Sequence, residues 1–172
     1  MKNGAVAAVS RLDARIVQAA VARKGVHLCV GLPAVLLGLG LLLHSQFEFL
    51  SAPIASEEVL RLVGYCLVGV AISDVIVGFI LKRRKLFSAN MKAKILARPG
   101  AYADVIAEEL LPLLLLAAAP AGYGLIFYFL GGDLDTYVLL SVCCPAGLMI
   151  IKPREDEIER LDREIFGEEV SD

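Results

Sequence analysis

Four stretches of this chain stay apolar long enough to cross a lipid bilayer, and no other feature limits its fold as severely. A hydrocarbon core about 30 Å thick needs roughly 20 mainly apolar residues in a helix. The stretches run from about residue 27 to 47, 62 to 81, 106 to 130 and 134 to 151. Within hydrocarbon every backbone N–H and C=O must find a partner inside the protein, so a spanning segment is a helix or part of a closed barrel. A barrel alternates polar and apolar residues in segments of about ten. The stretches here are continuous instead, LCVGLPAVLLGLGLLL among them. Over 172 residues the chain is 58% hydrophobic and 21% charged, against about 45–50% apolar for a soluble domain. The fold class this predicts is an all-α polytopic membrane protein, with four transmembrane helices arranged as two hairpins.

The basic residues orient it. Lys2, Arg11, Arg15, Arg23 and Lys24 precede the first span. Lys82, Arg83, Arg84, Lys85, Lys92, Lys94 and Arg98 lie between the second and third, and Lys152, Arg154, Arg160 and Arg163 follow the fourth. That places 16 of the 17 Lys and Arg on one side, with only Arg61 opposite. Glu48, Glu57, Glu58, Asp133 and Asp135 occupy the other side. The positive-inside rule then predicts both termini in the cytoplasm. The expected location is an inner (plasma) membrane of bacterial type, with an organellar inner membrane as the alternative.

Three regions follow. Residues 1–26 form a leader, too long and too poorly followed by a cleavage site for a removable signal. Its residues Val9, Leu12, Ile16 and Ala20 fall at helical spacing opposite Arg11 and Arg15, as in a helix lying on the inner membrane surface. Residues 27–151 form the membrane domain, with a basic cytoplasmic loop at 82–103. There Phe87, Met91 and Ile95 make an apolar stripe on a short helix. Residues 152–172 form a charged tail that Pro153 opens as a helix. Asp156–Arg160 and Glu159–Arg163 are spaced for i, i+4 pairs, and Ile158, Leu161 and Ile165 share a narrow face suited to docking, on a partner or on the chain's own basic loop.

Asp74 is the one ionisable residue deep within a span. Eight residues before Lys82, it lies about 12 Å inward of the basic boundary. A carboxylate there costs at least about 2.5–3.5 kcal/mol on insertion scales. It is expected to face other helices, as an ion or proton site or as structural glue bonded to Ser73, a cysteine thiol or a carbonyl freed by proline. Lys82, Arg83, Arg84, Lys85, Lys92, Lys94 and Arg98 are candidate contacts for anionic lipid, worth about 1 kcal/mol each near the surface. Asp104, Glu108 and Glu109 cluster where acids suit a helix N-terminus.

Catalytic chemistry finds no complete constellation. Cys29, Cys66, Cys143 and Cys144 contain no C-x-x-C and are expected to pack as small apolar residues. His27 and His44 bracket the first span about 25 Å apart, too far to ligate one haem. H-E-x-x-H, P-loop and G-x-S-x-G patterns do not occur. No metal or cofactor is expected, and a net charge of −2 advertises no nucleic acid. The expected partners are membrane lipid and a membrane protein or second copy of the chain. The function class implied is a non-catalytic accessory, assembly or structural subunit. The alternative is a small oligomeric ion, proton or solute transport component using Asp74.

PAVLLGLGLLL in the first span can be laid beside PAGYGLIFYFL in the third, as a duplicated hairpin would allow. In that third span AAAPAGYGLIFYFLGG, residues 117–132, resembles the second helix of the rotor proteolipid (c-type) subunits of F- and V-type ATPases. Tyr123-Gly124-Leu125-Ile126 carry the match. The resemblance implies hairpin packing of small-residue helices. The position where those subunits carry an ion-binding carboxylate falls near Ala118, so the group itself is lacking.

Overall fold

The computed structural model describes residues 12–46 and 55–167. Val9 and Arg11 of the leader, the His44 side chain and residues 168–172 of the tail lie outside the described residues. Among those described there are seven α-helices and no strand: α1 (Ala14–Val26), α2 (Leu32–Gln46), α3 (Glu57–Leu86), α4 (Ala89–Ala97), α5 (Tyr102–Phe129), α6 (Leu134–Ile151) and α7 (Glu155–Phe166). A single π turn, His27–Gly31, joins α1 to α2 without a break. Four of the resulting helical stretches are long and apolar enough to cross a membrane.

Several helix ends are fixed by local capping signals. Asp13 opens α1 by accepting from the Arg15 N–H at 2.8 Å. Ser88 caps α4 through the Met91 N–H. The turn between α5 and α6 is set by Gly131, whose φ of 93° only glycine adopts cheaply. The Gly132 N–H reaches back to the Phe127 carbonyl, closing α5 as a Schellman motif does. Asp133 then starts α6 by accepting from the Thr136 N–H and hydroxyl at 2.7 and 2.9 Å. The π turn has a local cause too. Pro33 has no N–H for the Cys29 carbonyl, and the slip in register, with the Leu32 N–H bonding the His27 carbonyl, falls just before it.

Helix α5 is the axis. Its longest interface is with α6, followed by α3, α1 and α2, while α3 also packs on α6. Consecutive helices α2 and α3 make no comparable interface. The packing is therefore centred on α5. Close approach requires small residues at chosen points. A Cβ added at Gly147 of α6 would lie 2.9 Å from the Ala117 Cβ of α5. One added at Gly124 would lie 2.6 Å from the Tyr137 ring, and that ring stacks on Tyr128 at 5.4 Å.

The leader helix differs from expectation. Leu12, Val17, Val21 and Cys29 are buried, with Gly25, whereas Ile16 is 60% exposed. Residues 17, 21, 25 and 29 recur at i+4 and pack mainly on α5. Apolar residues lie on more than one face of this helix, and the face carrying Val17 and Val21, not that of Ile16, meets α5. α1 is thus an inward extension of the first span, packed on the bundle.

Replacing Gly147 with Leu should destabilise the fold by about 1–3 kcal/mol, the range for overpacking a tight interface. Gly38→Leu should change stability little, since nothing lies within 4 Å of a Cβ added there. Unfolding in mixed micelles, followed by circular dichroism, distinguishes the two.

Candidate functional site

The charged end of the bundle is built around one buried lysine. Lys82 lies on the face of α3 that carries Gly78 and Leu86, and the i, i+4 spacing turns all three inward. Its side chain is 1% exposed. The ammonium donates to Glu157 Oε2 of α7 at 2.8 Å and to the Ile150 carbonyl of α6 at 3.2 Å. That carbonyl is among the last four of α6, which have no intrahelical partner. Glu157 also accepts from the Arg154 N–H at 2.9 Å, satisfying a donor at the start of α7. One ion pair thereby ends one helix, starts the next and fastens both to α3.

The remaining loop cations are mostly engaged in the same way. Lys85 and Lys94 both pair with Glu109, at 3.5 and 2.5 Å, and Lys85 donates to the Glu109 carbonyl. Arg98 pairs with Glu108 at 3.3 Å, and Lys92 with Glu164 at 3.0 Å. Of the seven cations expected to face lipid, only Arg83 and Arg84 carry no ion pair among the described residues. Lys82 itself is sealed inside. The acids at the start of α5 and along α7 share this end with the loop and neutralise it.

The tail docks on its own chain. Ile158 and Leu161 are buried, and Ile165 packs against the same core. The Leu12 N–H donates to Asp162 at 2.9 Å, and the Gln18 amide to the Pro153 carbonyl at 3.1 Å. Tyr102 and Phe166 rings meet at 6.0 Å, and Arg160 lies 4.7 Å from the Phe87 ring centre. Arg160 pairs with Glu164 at 2.9 Å, not with Asp156, so the spacing rule names the right residue and the wrong direction. The hydrogen bond from Arg160, then that from Lys92, holds the Glu164 carboxyl below its ordinary range. On α4, Met91 and Ile95 are buried as the stripe predicts, and Phe87 caps α3 beside them.

Asp74 has a partner that sequence reasoning missed. The Tyr123 hydroxyl of α5 donates to Asp74 Oδ2 at 3.3 Å. Both residues are half-buried. Ser73, expected as a companion, points outward and donates to the Gly69 carbonyl of its own helix at 2.9 Å. The thiols go elsewhere: Cys29 donates to the Leu114 carbonyl at 3.5 Å, and Cys144 to that of Ala118 at 3.6 Å. These cysteines therefore join the π turn and α6 to α5 by weak hydrogen bonds as well as packing. Tyr123 belongs to the Tyr-Gly-Leu-Ile segment, but the carboxylate it meets comes from another helix. An aromatic hydroxyl in an otherwise apolar span was the available signal.

No protein family, curated protein or solved structure matches this chain.

Glu157→Ala leaves the Lys82 charge buried without its acid, a loss of about 3 kcal/mol at the lower end for broken buried pairs. Trypsin should then cut after Arg160 and Arg163 far faster in folded protein. A Lys82→Met, Glu157→Leu double variant should regain most of the protection, because both charges are removed together.

Proposed function

We propose that this chain is a non-catalytic integral membrane protein. It serves as an accessory, assembly or structural subunit of an inner-membrane complex, with both termini in the cytoplasm. The observation that carries this reading is the uneven covering of its spans. Half of the apolar window in α5 is buried, against 17% in the first span and 17% in α3. Along α3 the outward residues Leu62, Cys66, Gly69 and Ser73 follow one helical face, on the side of the helix away from the charged end. The middle of that face is small, and nothing lies within 4 Å of a Cβ added at Gly69. Small residues let membrane helices approach closely. This face suits a helix of a membrane partner or of a second copy, while the charged end is occupied by its own tail.

Purification of the full chain in mild detergent should yield a stoichiometric partner or a second copy, identified by mass spectrometry. Gly69→Leu should displace it. Recovery of the wild-type chain alone would count against the proposal. Tags on the two termini should both be reached from the cytoplasm only.

One observation favours a second reading. Asp74 meets a neutral hydroxyl at membrane depth, and no cation pairs with it among the described residues. A small oligomeric subunit that moves ions or protons needs such a carboxyl. Liposomes containing the protein should then show flux that Asp74→Asn abolishes and Tyr123→Phe reduces. Flux indifferent to Asp74→Asn removes this reading.

A further inference from the structure

A groove of about 540 Å³ lies between α3 and α6, lined by Val75, Ile76, Phe79, Met149, Ile150 and Arg154. Its floor is apolar and open: Ile76 is 54% and Met149 77% exposed. Its position along the bundle follows from Lys82, which bonds the Ile150 carbonyl. Arg154, three residues after the end of α6, therefore stands at the basic end, and Val75 lies about 6 Å outward of Phe79 along α3. The groove thus begins at the charged boundary and runs into the depth where hydrocarbon lies.

The charge at its mouth is specific. Lys82 is neutralised by Glu157 and contributes no free cation. Arg154 is exposed and has no ion pair among the described residues. Arg83, likewise unpaired, lies with its guanidinium 6.0 Å from the centre of the Phe79 ring that lines the groove. Two guanidinium groups above an apolar channel complement a molecule with a phosphate at one end and a hydrocarbon chain at the other. Arginine suits a phosphate because its planar fork donates two parallel hydrogen bonds.

We propose that this groove binds one anionic phospholipid of the basic-side leaflet. Its phosphate lies on Arg154 with Arg83 beside it, and an acyl chain lies along Val75, Ile76, Phe79 and Met149. A soluble anion has no use for the apolar floor, and a lipid without net charge leaves the two cations uncompensated. Of the loop cations only Arg83 contributes to the site; Lys82, Lys85, Lys92, Lys94 and Arg98 are spent on acids of this chain. It rests on the membrane reading of the four long helices but not on the identity of any protein partner.

Native mass spectrometry of the full chain in detergent tests it, with phosphatidylglycerol, phosphatidylcholine and glycerol 3-phosphate added separately and in competition. Phosphatidylglycerol should be retained in preference to phosphatidylcholine. Arg154→Gln should weaken its retention about fivefold, the value of one cation near a membrane surface, and leave phosphatidylcholine unchanged. Ile76→Trp, which fills the floor, should weaken both lipids. Arg98→Gln, at a cation paired with Glu108, should change neither. Circular dichroism and the tryptic pattern verify that each variant folds. Equal retention by Arg154→Gln and wild type overturns the proposal, as does equal retention of the two lipids. Displacement by glycerol 3-phosphate at matched concentration also overturns it, assigning the cations to a free anion. Release of the chain from membranes by alkaline carbonate would refute the membrane reading instead, which keeps the two failures apart.

Discussion

Contact between α5 and the helices around it is the interaction on which the rest of the molecule depends. Lipid tails are as apolar as leucine, so no hydrophobic drive brings spanning helices together; packing and hydrogen bonds must do so. The chain meets that demand at a few points. Gly147 of α6 faces Ala117 of α5, and Gly124 receives the edge of Tyr137. Cys29 and Cys144 each give a thiol hydrogen to an α5 carbonyl. Among the described residues, helix α5 makes the most extensive contacts with the other spans, and it supplies more of the buried core than any other helix. The two prolines within it do not break it, which is consistent with a helix held by its neighbours from several sides.

The charged end solves a different problem. Cations concentrated at one end repel one another once the helices have gathered. Acids at the start of α5 and along α7 resolve this by returning to the same end. Most of the resulting pairs are exposed, and exposed pairs are worth little individually. Lys82 is the exception, because its burial makes its partner indispensable. The tail is consequently part of the fold: through Glu157 it satisfies a cation of α3, and through Ile158 and Leu161 it closes the core beneath α1 and α4. A short polar helix that would be marginal alone in water is stabilised by what it covers.

The four spans were legible because length and apolarity are local properties, and each falls within a long helix. The stripes on α4 and α7 were legible for the same reason. What was not legible depends on partners far away in sequence. Tyr123 and Asp74 are 49 residues apart and share no pattern. The inward turn of Lys82 follows from which face of α3 meets α6, and its charge argued for the opposite face. Gly25 looks unremarkable by hydropathy, yet it shares the buried side of the first helix with Val17 and Val21. Which helices meet was not legible either: α3 reaches past α2 to pack on α5 and α6. Sequence adjacency is a guide to neighbours only where the connecting turn is tight. The Gly131–Asp133 turn is tight in that way, and α5 and α6 do pair.

Two ionisable residues on α3, eight positions apart, show how depth decides the solution. Lys82 is at the boundary, where a second charged chain can reach it, and it is satisfied by an acid and a helix-end carbonyl. Asp74 is about two turns further in, where no cation pairs with it among the described residues, and it receives a single long hydrogen bond from a phenol. A hydroxyl can orient a carboxyl but cannot cancel its charge. The pairing therefore lowers the cost of Asp74 without removing the reason such residues are rare in spans. If bonding α3 to α5 were its whole purpose, a neutral amide or hydroxyl would serve with less penalty. The presence of an acid at this position makes Asp74, and not the cations that dominate the sequence, the residue whose chemistry most needs a use.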